Sequence, residues 1–328
     1  MPSPGQKLAK SGSGAWPRRR AIVAAIAALV LLPIEASDAG WLSDVFKGSS
    51  KPAKSPRHMA SPKRATLAKP AAAPKLHTVK LAALGPFVLP ASKPVATCDP
   101  AKFRIVLDVG HTAESEGAIS ARNVAEFAFN LRLAQRIEEK LKAEGFAETR
   151  LLVTGGKARP SLVRRVATAN NLQANLLLSI HHDSVPDSFL ENWEFEGKKS
   201  HFSDRFSGYS VFVSQDNPDF KTSLLFAELV AKEMQAQGLR YARQYTQPIM
   251  GRNQHPLLNK ETGVYSYNKL IVLKSTRMPA VLLEAGSIIN RDEELIMNSP
   301  ERQNILASGV ATAAKEFCDS RWAMLGPL

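Results

Sequence analysis

Two histidines and two glutamates, far apart in the chain, each stand where an apolar run begins or stops. His111 follows Leu107-Asp108-Val109-Gly110, and Glu126 opens a long amphipathic segment. His181 closes the run 176–180, and Glu284 closes 280–283. Imidazole, carboxylate and imidazole form a three-ligand set that suits zinc and leaves a fourth position open. A further carboxylate beside such a set can take a proton from water. Taken singly, each residue has a plainer reading: His111 as a turn residue, Glu126 as a solvated helix-start charge, Glu284 as an ion-pair partner. His182 adjoins His181, and successive strand side chains point to opposite faces, so only one of the two can face the metal. The chemistry expected of the four together is zinc-assisted hydrolysis, with three of them as ligands and the remaining carboxylate as the base.

Such residues meet only if a sheet gathers them. A buried-type strand is expected over 103–109. Over 124–141, Val124, Phe127, Leu131, Ala134, Ile137 and Leu141 follow the three-and-four spacing of a helix. Further strands are expected at 149–153, 176–180, 209–214, 270–273 and 280–283. Helices are expected from Ser161 as cap to about 172, and over 222–237, 292–297 and 301–317. This alternation implies an α/β fold, a mostly parallel or mixed central sheet with helices on both faces. In open sheets of that kind ligands bind beyond the carboxyl ends of strands. Residues 184–207 and 239–269 read as long loops. Trp193, Phe195, Phe202 and Phe206 make the first a lid, a sugar-stacking surface or simple packing. His201 and His255 read as ordinary surface histidines.

From about residue 103 to 317 the chain resembles the zinc-dependent N-acetylmuramoyl-L-alanine amidases of the amidase-3 type. The resemblance lies in Ile105-Val106-Leu107-Asp108-Val109-Gly110-His111, in Glu126 with Asn130, and in Arg165 to Asn170 followed by Ser179-Ile180-His181. It continues in Met278-Pro279-Ala280-Val281-Leu282-Leu283-Glu284-Ala285-Gly286, with Asn290 beyond. Val109 replaces a usual proline, the glycines after His111 are partly absent, and His182-Asp183 stands for a common Ala-Asn. The resemblance implies a hydrolase of phosphorylase/hydrolase-like architecture with one Zn2+ on His111, Glu126 and His181, and Glu284 as base and later proton donor. The bond would be the amide between N-acetylmuramic acid and L-alanine in peptidoglycan, cut for wall remodelling or cell separation. Asn130, Arg165 and His182 are the substrate-contact or supporting candidates. Two other readings stay open: a zinc peptidase acting on stem-peptide bonds, and a non-catalytic wall-binding or activator protein. An activator protein is also a candidate partner, and 239–269 is where an inhibitory helix would fit.

Charge divides the 328 residues unevenly. Residues 1–100 hold 15 Lys/Arg against 4 Asp/Glu; the remainder holds 28 against 26, of 43 and 30 in the whole chain. Residues 1–39 have the form of an export signal: Lys7, Lys10 and Arg18-Arg19-Arg20, an uncharged apolar stretch over 21–32, Pro33, then Ser37-Asp38-Ala39. A stretch of that length falls short of the roughly 20 residues a spanning helix needs. An exported, periplasmic protein is expected, with an inner-membrane-anchored form if the signal stays uncleaved. Residues 40–97, rich in Pro, Ala, Lys and Ser, read as a disordered basic linker. It is either a plain spacer or a tether to an anionic membrane or wall surface. A nucleic-acid role is not expected, since no aromatic residues interleave the charges. The catalytic domain is expected over 98–320 and a short tail over 321–328. Outside a reducing cytosol Cys98 and Cys318, at the two ends of that domain, can pair; two free thiols are the alternative.

Overall fold

The computed structural model describes residues 98–325, with side-chain surroundings up to 320. The expected export signal and basic linker lie outside the described residues. Among those described, no helix is long and apolar enough to cross a membrane.

Strands β1 (Ile105–Val109), β2 (Arg150–Leu152), β3 (Leu176–Asp183), β6 (Ser210–Val213), β7 (Leu257–Asn259), β8 (Val264–Ser266) and β9 (Ala280–Ser287) form one sheet. Its order is β2-β1-β3-β9-β6-β8-β7. The pairs β1–β2, β1–β3 and β3–β9 are parallel, and β6 runs antiparallel to β9. The sheet is therefore mixed, as the alternation of elements implied. The carboxyl ends of β1, β3 and β9 fall on one edge, which is the condition for His111, His181 and Glu284 to meet.

Both faces are covered. Helices α1 (Glu126–Ala143), α3 (Phe220–Ala236) and α6 (Pro300–Leu325) lay Phe129, Leu133, Ile137, Phe226, Val230, Val310 and Phe317 against one face. There they meet Leu107, Ile180, Val211 and Leu283. Helix α2 (Ala158–Asn171), the single turn α4 (Ile271–Lys274) and the 3-10 turns Gln244–Thr246 and Pro248–Asn253 cover the other face. That side buries Val106, Leu177, Phe212 and Leu282. A short helix α5 (Arg291–Met297) follows β9, its N-cap Asn290 accepting from the amides of Asp292 and Glu293.

Five sequence expectations are corrected. Where a strand was expected over 270–273, residues 271–274 form the helical turn α4. The run is only four residues long, and Asn217 Nδ2 donates to the carbonyls of Leu273, Thr276 and Met278, fixing a turn there. Residues 184–207 are not a plain loop: β4 (Glu191–Phe195) and β5 (Lys198–Phe202) form an antiparallel hairpin. Its two-residue turn has Glu196 and Gly197 at φ 52° and 74°, the left-handed pair that suits a tight hairpin. Residues 239–269 contribute β7 and β8 to the sheet, and no α-helix forms there. Ser161 lies inside α2, its hydroxyl bonded back to the Ala158 carbonyl, rather than at the cap. The last helix continues to Leu325, beyond its expected end at 317.

Cys98 and Cys318 form a disulfide, Cα atoms 5.5 Å apart across 220 residues of sequence. Phe103 packs edge-on against Phe146 and Phe317 beside it.

Candidate active site

His111 lies two residues past β1 with φ 67°, a conformation uncommon for a residue with a side chain. Arg165 of α2, 1% exposed, holds it there: its guanidinium donates to the His111 carbonyl, and to both oxygens of Asp108 at 3.3 Å. Ser179 Oγ donates to Asp108 Oδ2 at 2.7 Å, tying β3 to the same acid. Thr154 Oγ1 takes the Arg165 Nε at 3.0 Å. Asp108 has no exposure, so the cation that neutralises it also fixes the backbone of the first histidine.

Glu126 is the first residue of α1, where the helix dipole favours a carboxylate. Its Oε2 lies 3.0 Å from His111 Nε2 and its Oε1 3.1 Å from His181 Nδ1. Three donors steady it: Asn130 Nδ2 and the His182 amide to Oε1 at 3.1 and 3.4 Å, and the Ala118 amide to Oε2 at 3.0 Å. Burial works to raise this carboxyl, but His111 and then His181 outweigh it and hold it well below the usual value. Donor atoms of His111, Glu126 and His181 all lie within 4.8 Å of one another, a cluster that could hold a metal ion.

The cluster leaves no room for two further side chains. A Cβ on Gly110 would sit 2.5 Å from the His181 ring. One on Gly117, whose φ is +83°, would sit 2.5 Å from Glu126 Oε2 and 2.7 Å from the His111 ring. Gly117 went unnoticed in the sequence; its signal was a lone glycine between the first histidine and the helix that starts with Glu126.

His182 points to the opposite side of the sheet, as strand alternation requires. It is buried between Asn130 Oδ1, 2.8 Å from its Nδ1, and the Phe129 ring, and burial pushes its pKa down to about 3. Asn130 also donates to the Gly110 carbonyl at 3.2 Å. Asn130, Arg165 and His182 are thus each buried and bonded to the frame of the cluster, and the structure places none of them on an open surface.

Glu284 is in register with His181 on one side and Ser210 on the other, so the three side chains share a face. Its Oε2 is buried without a hydrogen-bond partner, as is Ser210 Oγ. Burial, then the charges of Asp183 and Glu126, push the Glu284 carboxyl well above its usual value. Burial likewise raises Asp183 to about 7.

The hairpin docks inward. Trp193 Nε1 and Ser200 Oγ both donate to the Ala121 carbonyl at 2.8 Å, and Arg122 and Arg291 lie over the Trp193 ring. Its aromatic side therefore packs on the segment between His111 and Glu126. His201 is exposed. His255 is not an ordinary surface residue: it packs among Phe212, Tyr245 and Tyr267, and burial lowers its pKa to about 4.

A mixed sheet with helices on both faces, in which two histidines from parallel strand ends and a helix-start glutamate converge, has the build of a hydrolase with a metal-capable His/Glu cluster. The chain belongs to the amidase-3 family, N-acetylmuramoyl-L-alanine amidase, whose profile matches residues 105–316. It is similar to N-acetylmuramoyl-L-alanine amidase AmiA of Escherichia coli, 26% identical over 246 residues, covering 67% of this chain and 78% of that one. A putative N-acetylmuramoyl-L-alanine amidase of Buchnera aphidicola is 22% identical over 223 residues, covering 65% of this chain and 95% of its own length. In fold it resembles the crystal structure of Ami1 from Mycobacterium smegmatis, with a TM-score of 0.51 at 20% identity, covering 68% and 99% of the two chains. The protein is an enzyme, a peptidoglycan amidase.

Proposed function

We propose that His111, Glu126 and His181 bind one zinc ion and that Glu284 is the proton-transfer group working beside it. The donor set fits the ion. Ligands about 2.0–2.1 Å from tetrahedral zinc lie roughly 3.3 Å from one another, and contacts of 3.0 and 3.1 Å already draw Glu126 to the two imidazoles. Zinc in such a site supplies Lewis acidity, polarising a carbonyl and acidifying water to a pKa of about 7.

The remaining work falls to this chain's own side chains. Glu284 takes a proton from the attacking water and delivers it to the nitrogen of the departing L-alanine, so that the amine leaves neutral. Its unpartnered Oε2, on the strand next to His181, is the observation that supports this role. Arg165, through Asp108 and the His111 carbonyl, and Asn130, through Glu126 and Gly110, hold the ligands in place. His182 fixes Asn130 from behind. In this reading the three act as supports rather than as substrate contacts.

The bond cut joins the lactyl group of N-acetylmuramic acid to L-alanine. Residues 1–39 act as an export signal and 40–97 as a basic spacer, which places the enzyme where its substrate is. Digesting purified sacculi with and without chelator, and weighing the products, tests the reading. Intact stem peptides beginning with L-alanine, released only without chelator, are expected. Fragments cut within the stem would instead make the enzyme a peptidase.

A further inference from the structure

No step of the amide hydrolysis uses the hairpin β4–β5, yet two of its side chains meet at one atom. Trp193 and Ser200 stand opposite each other in the hairpin ladder. From there Trp193 Nε1 and Ser200 Oγ both donate to the Ala121 carbonyl, each at 2.8 Å. Ala121 is 0% and Ser200 3% exposed. A carbonyl oxygen has two lone pairs, so this one is fully taken. The Ala121 amide is fixed as well, donating at 2.9 Å to the Ile288 carbonyl just beyond β9.

Ala121 is the tip of a tight turn whose base carries Glu126. The Ser120 amide donates to the Val124 carbonyl at 2.8 Å, the Val124 amide to Ser120 Oγ at 2.9 Å, and Ile119 bridges Ala125. One residue further down, Ala118 grips Glu126 twice. Its carbonyl accepts from the Glu126 amide at 2.8 Å, and its amide donates to Glu126 Oε2 at 3.0 Å. Arg122, next to the tip, is tied to α5: its Nη1 donates to Glu294 Oε2 at 2.6 Å and to the Arg291 carbonyl at 2.7 Å. The hairpin hangs on the same stretch after β9, its Ser203 amide donating to the Ile289 carbonyl at 2.9 Å. A shift of the tip is therefore passed down a hydrogen-bonded ladder to the carboxylate rather than lost in slack chain. Apolar burial is non-directional and would cover the turn at any height. Two polar donors aimed at one carbonyl fix that height.

We propose that Trp193 and Ser200 are positioning residues for Glu126, acting through the Ala121 carbonyl and the turn it heads. The hairpin thereby belongs to the metal-binding apparatus, although it supplies no ligand. The proposal rests on Glu126 being a metal ligand.

The full-length protein, stripped of metal and titrated with Zn2+ against a competing chelator, provides the test. Trp193→Phe loses the ring N–H, and Ser200→Ala loses the hydroxyl. Either alone leaves one donor on the carbonyl and is expected to weaken zinc binding no more than about twofold. Together they leave a buried carbonyl unpaired, and the loss is expected to reach about tenfold or more, exceeding the product of the two. Cys98→Ala with Cys318→Ala, which loosens the domain ahead of β1, is expected to leave zinc affinity unchanged. Zinc affinity kept by the folded hairpin double variant, or an equal loss in the cysteine variant, overturns the proposal. Should the double variant fail to fold, Ser200→Val against the isosteric Ser200→Thr replaces it. Weaker zinc binding in the valine variant is expected, and equal binding overturns the proposal. Glu126→Ala, run alongside, separates the two levels. Zinc retained there sinks the ligand assignment. Zinc lost there but held by the hairpin double variant sinks only the role of the hairpin.

Discussion

His181 and Glu284 stand opposite each other in register on the parallel strands β3 and β9. His181 reaches the Glu126 carboxylate, whereas Glu284 Oε2 bonds to nothing. One residue of the pair is thus committed to the cluster and the other is left free. Glu284→Gln should therefore retain stoichiometric metal, read by elemental analysis, while kcat falls by about 10²–10⁴. Glu126→Ala should lose the metal itself. Metal lost from both variants would show that Glu284 is a ligand.

Much of this arrangement was legible in the chain. His111, Glu126, His181 and Glu284 sit at ends of apolar runs, and such ends align in a parallel sheet whatever the loops do. Alternation of strand side chains allowed only one of His181 and His182 to face the cluster, the Ser179-Ile180-His181 spelling of the resemblance favoured His181, and His182 lies on the far face with Asn130. What escaped were features fixed by distant contacts. Residues 270–273 look like a strand, but the Asn217 amide, more than fifty positions earlier, turns them into α4. β7 and β8 are three residues each, too short for a periodic signal; β6 offers β8 an edge, and β8 in turn offers one to β7. The Glu196-Gly197 turn was readable locally, as a glycine between two aromatic-bearing runs. The bond from Asp183 to Tyr245 spans 62 positions and had no local signal at all.

Gly117→Ala offers a test of how tightly the cluster is built. The added methyl must displace Glu126 Oε2 or the His111 ring, and the left-handed φ of +83° adds strain. Metal affinity, measured by competition with a chelator, should drop at least about tenfold; strain of this kind is worth roughly 1–3 kcal/mol. Gly197→Ala is the control, since its φ is similar at +74° but its Cβ would meet nothing within 4 Å. Equal metal loss in both would mean that backbone strain, rather than crowding, sets the affinity.

Arg165 and Asp108 form an ion pair with side-chain exposures of 1% and 0%. Removing one partner strands the other charge in the interior, which costs about 3–5 kcal/mol. Arg165→Met should lower unfolding free energy by that order in urea titration. Arg165→Met with Asp108→Leu should regain a large part of it. A double variant no better than the single one would show that the bonds to His111 and Thr154, not the buried charge, account for the loss.

The Cys98–Cys318 bond closes a loop spanning 220 positions. Restricting the unfolded chain over that length is worth about 5 kcal/mol in the chain-entropy account. Cys98→Ala with Cys318→Ala should therefore lower Tm markedly, while kcat measured well below the new Tm stays close to that of the parent, because neither cysteine touches the cluster. An unchanged Tm would show that Phe103, Phe146 and Phe317 suffice to hold the domain's ends together.

The pH dependence of stability has a definite sign at two histidines. Burial lowers His182 to about 3 and His255 to about 4, against about 6.5 for the unfolded chain. Both are neutral in the folded protein at pH 6 and take up protons on unfolding below about 6.5, so the unfolded state binds more protons. Their contribution is full above pH 6.5 and falls away as pH drops toward 4. Urea midpoints taken from pH 7.5 to 4.5 should decline over this interval. In His255→Phe, whose ring would stay among Phe212, Tyr245 and Tyr267, the decline should be shallower, with little change at pH 7.5. An identical slope in that variant would assign the acid sensitivity to His182 instead.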